Sequence, residues 1–232
     1  MIVSINQPAY LPWLGYFDRI YKSDIHINLD NVQFEKNSVT NRNKIAINQG
    51  GWAWITIPLR TKGRFGNLII RELEIDNTQK WRKKHYASLI GNYGKSNYLP
   101  EHNNWLNDIY ESNWEFLGPL LDFTIDYLMK ALGITTPIYK ASEMTAQGKK
   151  SDYILNLCRE IEATTYLSGP FGREYLDLEK FEHAGIKVRF HDYEHPKYYQ
   201  LHGEFQPYMS VIDLIFNEGL NSLNVLTGGL SE

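Results

Sequence analysis

The chain has 232 residues, 43% of them hydrophobic, which suits a folded enzyme-sized protein with one substantial core or two modest ones. Its 24 basic and 27 acidic residues give a formal charge of -3, without the basic excess that drives phosphate-backbone binding, so nucleic acid is not an expected partner. No stretch approaches the ~20 consecutive apolar residues of a membrane span; the start MIVSINQP lacks a signal peptide's basic and apolar regions; and the single cysteine, Cys158, can form no internal disulfide. A cytoplasmic protein without a membrane partner is expected.

Met1 to Ile5 reads as a short buried strand, which Pro8 and Pro12 prevent from continuing. Gly15 to Tyr21 has helical spacing through Phe17, Ile20 and Tyr21, and residues 25 to 34, IHINLDNVQF, resume a strand alternation. A strand, loop, helix, strand unit favours a parallel sheet. Residues 44 to 59, KIAINQGGWAWITIPL, alternate on both sides of Gln-Gly-Gly and predict a β-hairpin. Residues 68 to 76, LIIRELEID, predict a further strand. From Thr78 to Leu132 the pattern is helical, with Gly133 as a C-cap. Ser151 is the expected N-cap of DYILNLCREIEA, followed by the strand TTYLSG, the helix LDLEKFEHAG and the strand IKVRFHDY. SVIDLIFNEG predicts a short amphipathic helix and the last residues a polar, mobile tail. No repeat or low-complexity linker occurs, so residues 1 to 232 are expected to form a single domain. Its fold is expected to be mixed α/β: a mainly parallel sheet with crossover helices, a hairpin extension and a helical insertion at about 78 to 133.

Aromatic residues make up 14% of the chain, with 16 Tyr and 6 Trp, a surplus that suggests amphipathic pockets of the kind that receive sugars or nucleotides. Walker A, HExxH, GxSxG and paired CxxC patterns are absent. GPFG at 169 to 172 reads as a turn at the carboxyl edge of a sheet, which makes Ser168 to Tyr175 a candidate pocket wall. Cys158 sits in an apolar stripe and reads as an inert core thiol. His85 follows three basic residues in WRKKHY and is either part of a solvated face or of an anion-contacting one. HDYEHPKYYQLHG, residues 191 to 203, gathers three histidines, but the irregular spacing matches no metal geometry. His195, held extended before Pro196, is the candidate general base. In FEKNSVTNRNK, Asn41 and Arg42 offer fixed-plane donors for an oxyanion or carboxylate, against the plainer reading of an ordinary Asn-supported turn.

QPAYLPWLGYFDRI, with LDNVQFEK, NRNK, YLSG, HPKYYQ and FQPYMSVIDLIFNEG, resembles the WbqC-like family of bacteria across Met1 to about Gly219. That resemblance implies a role near surface polysaccharide or O-antigen synthesis, and the attachment of an acyl or aminoacyl group to the amine of a nucleotide-linked sugar. The opening stretch is also reminiscent of the phosphate-binding turn of nucleotidylyltransferases, which implies a Rossmann-like sheet, although Tyr10 and Tyr16 lie near where that motif carries histidines. On this reading Gln7, Tyr10, Trp13 and Tyr16 form a pocket floor, stiffened by the two prolines. Asp30, Gln33, His85, Ser168 and Tyr198 complete the candidate substrate contacts, with His195, Asn41 and Arg42 catalytic. No cofactor is expected beyond an activated acyl or aminoacyl donor. The expected partners are a small sugar nucleotide, an acyl carrier protein as one form of donor, and a second copy of the chain. Nucleotidyl transfer and a non-catalytic scaffold for a glycan or carrier protein are the alternatives.

Overall fold

The structure, a computed structural model, describes residues 1–64, 66 and 68–229. The chain enters as β1 (Ile2–Asn6), turns at Pro8 through Trp13, and runs back as α1 (Leu14–Tyr21) to the parallel strand β2 (Ile25–Asn28). The two strands pair Ser4 with His26 and Asn6 with Asn28, so four polar residues face α1 while Val3, Ile5 and Ile27 face the opposite layer.

The expected hairpin forms as β3 (Arg42–Ala46) and β4 (Trp52–Thr56), a separate two-stranded sheet. Gly50 and Gly51 close its turn with φ of 83° and 82°, backbone angles that side chains disfavour. The helical insertion comprises α2 (Trp81–Tyr93), α3 (Asn103–Glu111) and α4 (Leu117–Leu132), which pack with α1 and the hairpin's inner face. Gly133 ends α4 in the left-handed conformation, φ 71°, as expected.

A short strand that the sequence analysis did not assign, β5 (Ile138–Lys140), pairs with β2. The chain then runs through α5 (Lys150–Glu160), β6 (Thr165–Ser168), α6 (Leu178–His183) and β7 (Lys187–Phe190). The main sheet is parallel throughout in the order β5-β2-β1-β6-β7. Val3, Ile5, Ile27 and Tyr166 bury against Ile154, Leu155, Leu157 and Cys158 of α5 and Phe181 of α6. Cys158 is a free thiol pushed up to about 12 by burial, in keeping with an inert core position. Strand order reverses between β1 and β6, and in open α/β sheets the crevice at that point, beyond the strands' carboxyl ends, is where ligands bind.

Four local expectations are corrected. Residues 68 to 76 form no strand. Their buried apolar positions, Leu68, Ile70, Leu73 and Ile75, break the alternation, and Ile70–Glu72 winds into a 3-10 turn flanked by isolated bridges. The N-cap of α5 is Lys149, while Ser151 lies inside the helix and its Oγ accepts from the Asp177 amide. The helix α7 (Val211–Glu218) carries Asp213 and Asn217 on one side, but its first six residues present no solvated face: Val211 to Phe216 are all buried, Asp213 included. Beyond it α8 (Ser222–Leu226) buries Leu226, so the tail is packed that far, and residues 230–232 lie outside the described residues. No helix among the described residues is long and apolar enough to cross a membrane.

Candidate active site

The opening stretch is strapped in place by backbone contacts. The Tyr10 amide donates to the Thr40 carbonyl, Asn43 Nδ2 donates to the Leu11 carbonyl at 2.6 Å, and the Val211 amide donates to the Pro12 carbonyl. Leu11 adopts φ 47° while buried, a conformation that costs energy and persists only where the surroundings fix it. This turn delivers the uncapped N-terminus of α1 to the switch point between β1 and β6. Trp13 folds back over Gly15, where a Cβ would collide with the indole, and its ring meets Tyr193 edge-on at 5.5 Å.

A cleft of about 520 Å³ opens there. It is walled by Asn6 at the end of β1, Trp13, Tyr16 and Arg19 of α1, Ser168 to Gly172 after β6, and His191 to Glu194 after β7. Its floor is formed by Arg19, only 7% exposed. Nε of this guanidinium is buried without a partner, and no hydrogen bond or ion pair engages the side chain among the described residues. Nη1 lies against Gly169, where a Cβ would occupy the nitrogen's place. Around it stand the hydroxyls of Tyr166, Tyr16 and Tyr175, and burial pushes the guanidinium pKa down from its ordinary value. A buried arginine keeps its charge, and an unpaired one is costly unless an anion completes it. Arg19 lies in the last turn of α1, and its guanidinium shares the cleft with Trp13, Gly15 and Tyr16 from the start of that helix, a setting that suits a phosphate or carboxylate.

One residue before Arg19, Asp18 is fully buried. Its Oδ2 accepts from His191 Nε2 at 2.5 Å and from Lys22 Nζ at 2.7 Å. Where Nε2–H is donated to the carboxylate, the neutral form of the ring carries its lone pair on Nδ1, which has no hydrogen-bond partner among the described residues. A carboxylate that fixes the imidazole tautomer and leaves the other nitrogen beside a cleft is the arrangement of a general base. The His191 amide donates to the Ser168 carbonyl, which holds the loop after β7 against the end of β6.

The structure brings Trp13, Tyr16 and Ser168 of the predicted residues into this cleft, and Tyr16 also donates to Asn28 Oδ1 at 3.2 Å. Tyr10 does not line it: the residue is fully buried in the core, with its hydroxyl bonded to Tyr110 at 2.8 Å and to His85 Nδ1. His85 therefore points inward, donating Nε2–H to the Thr56 carbonyl, and burial pushes its pKa down to about 4, so it belongs to neither a solvated nor an anion-contacting face. Gln7 meets Thr40 at 3.5 Å, Asp30 accepts from the Ser142 amide and hydroxyl, and Gln33 accepts from the Leu68 amide. These three brace loops outside the cleft wall. Asn41 donates to the Ile57 carbonyl and Arg42 to that of Asn37, and both line a separate recess. His195 also lies off the cleft: its Nδ1 donates to the Pro196 carbonyl and its Nε2 is buried among Tyr193, Tyr198, Phe205 and Tyr208. Tyr198 donates to the buried Asp213, which also receives Tyr93 and Gln200.

Asp18, Arg19 and His191 are the residues that sequence reasoning missed. The signal for the first two lay in FDRI, a charged pair in the middle of an apolar helix of eight residues. Fold and cleft together define a mixed α/β protein with a parallel five-stranded sheet, a separate antiparallel hairpin and a polar cleft at the sheet's topological switch point. The chain belongs to the WbqC-like protein family, whose model matches residues 7–225. It is also 38% identical over 226 residues to the uncharacterized protein Rv1507c of Mycobacterium tuberculosis, covering 97% of this chain and 96% of that one. No solved structure matches the chain.

Proposed function

We propose that the protein is a transferase that forms an amide on the amine of a nucleotide-linked amino sugar, using an activated acyl or aminoacyl donor, in bacterial surface polysaccharide synthesis. The observation that carries this reading is Arg19, a buried guanidinium with no anionic partner at the switch point of a parallel sheet. A diphosphate set on Arg19 leaves the sugar to extend along the wall that His191 shares with Trp13 and Tyr193. With a thioester donor the chemistry balances simply. The sugar nitrogen attacks the acyl carbon, a C–N bond forms, the amine proton passes to His191 Nδ1, and the C–S bond breaks to release a thiol that takes that proton. Asp18 holds the imidazolium while it exists. The base role thus moves from His195 to His191, because His195 has no nitrogen facing the cleft.

The test is incubation with nucleotide-linked amino sugars and acyl thioesters, reading free thiol and the mass of the amide product. Amide formation that disappears in Arg19→Met supports the reading. Nucleotidyl transfer is a second reading, favoured by the strand order and the turn from β1 into α1. Pyrophosphate release from a nucleoside triphosphate, without amide formation, would establish it instead.

A further inference from the structure

The hairpin β3–β4 presents two unlike faces. Asn43, Ile45 and Ile55 point inward and are buried, whereas Arg42, Lys44, Trp52 and Trp54 share the outer face. The two indoles are 42% and 40% exposed, a large apolar area to leave in water. They meet edge to face, with centroids 5.7 Å apart and planes at 82°. Arg42 sits 4.4 Å over Trp54, and Lys44 lies 4.1 Å over Trp52 and 5.5 Å from Trp54. Neither cation has a carboxylate within ion-pair distance among the described residues, although Arg42 Nη2 donates to the Asn37 carbonyl.

We propose that this outer face is a binding platform for an acidic oligosaccharide. Each indole has one face covered by a cation, which fixes the ring and leaves another surface for the C–H face of a pyranose. The same cations then have N–H groups to offer a sugar carboxylate, so ring and charge are read together. Single-stranded nucleic acid fits less well, because stacked bases call for parallel ring faces and a basic groove, and these rings are nearly perpendicular in a chain of net charge -3. The platform lies outside the cleft wall, so it stands or falls independently of the amide-forming reading.

Calorimetric titration with hexagalacturonate tests it, with maltohexaose, oligothymidylate and phosphatidylglycerol vesicles as competitors for the assignment. The wild-type chain should bind hexagalacturonate, while Trp54→Ala and Lys44→Glu weaken binding about tenfold or more. Lys44→Glu leaves both indoles in place, so it reads the charge should Trp54→Ala fail to fold. Absence of heat with hexagalacturonate, equal binding by Lys44→Glu, or equal binding of maltohexaose would overturn the proposal. Tighter binding of the oligonucleotide or the vesicles would overturn it too and give the face to that partner.

Discussion

Replacing Arg19 with Met keeps most of the side chain's volume and removes its charge. With 7% exposure and no partner, the guanidinium carries a desolvation cost that no protein group offsets. Replacing a whole buried ion pair by apolar residues of similar volume is commonly neutral or stabilising by about 1 to 4 kcal/mol, and an unpaired guanidinium has no Coulombic attraction to lose. At roughly 2 to 4 °C per kcal/mol for a chain of this size, Arg19→Met should melt at or above the wild-type temperature. Binding should move the other way. Two charge-assisted hydrogen bonds to a diphosphate, at about 1.5 to 3 kcal/mol each, make a loss of roughly 3 to 6 kcal/mol. That corresponds to a Kd weakened about 10²- to 10⁴-fold. Scanning calorimetry of the apo protein and isothermal titration with UDP-glucosamine and inorganic pyrophosphate read both quantities. A variant that melts several degrees lower and binds unchanged would mean that Arg19 is a structural cation and holds no anion.

A methyl group at position 169 would displace Arg19 Nη1, the end of a flexible side chain, so Gly169→Ala should lower pyrophosphate affinity with little change in melting; undiminished affinity would place the anion elsewhere. Asp18→Asn and His191→Asn should each reduce turnover about 10²- to 10⁴-fold, whereas His195→Ala should leave the rate near wild type; the reverse pattern in initial-rate assays would restore His195 as the base. Burial pushes His26 down to about 3, with Arg19 adding to the shift, and His85 down to about 4. Both pKa values are depressed, so the unfolded chain takes up protons near pH 6.5 that the folded chain refuses, and stability falls as pH drops. The two together should remove up to about 3 kcal/mol per pH unit between about pH 6 and pH 5, with His26→Asn halving the slope in urea titrations. A flat profile would mean that these histidines are not held neutral.

The sheet's central strands were legible because Ile2, Val3 and Ile5, and Ile25 and Ile27, are β-branched residues at strand spacing, bounded by Pro8 and by helical spacing. β5 was not, since IYK is three residues at the sheet's edge and takes its strand conformation from pairing with β2. The site divides the same way. Trp13, Tyr16 and Ser168 fall in the cleft because a turn after a strand and a Gly-Pro after a strand both mark the carboxyl edge. Tyr10 does not, since its hydroxyl finds Tyr110, 100 residues away, and no local pattern encodes that contact. His191 and His195 lie in one short segment with similar neighbours, and only the approach of Asp18 across 173 positions separates a base from a packed ring.

A crystal structure of the protein soaked with UDP-glucosamine tests the central claim most directly. The account predicts a diphosphate on Arg19 in the cleft, with the sugar amine within hydrogen-bond reach of His191 Nδ1. A nucleotide sugar seated away from Arg19, or a cleft left empty at saturating ligand, would contradict it.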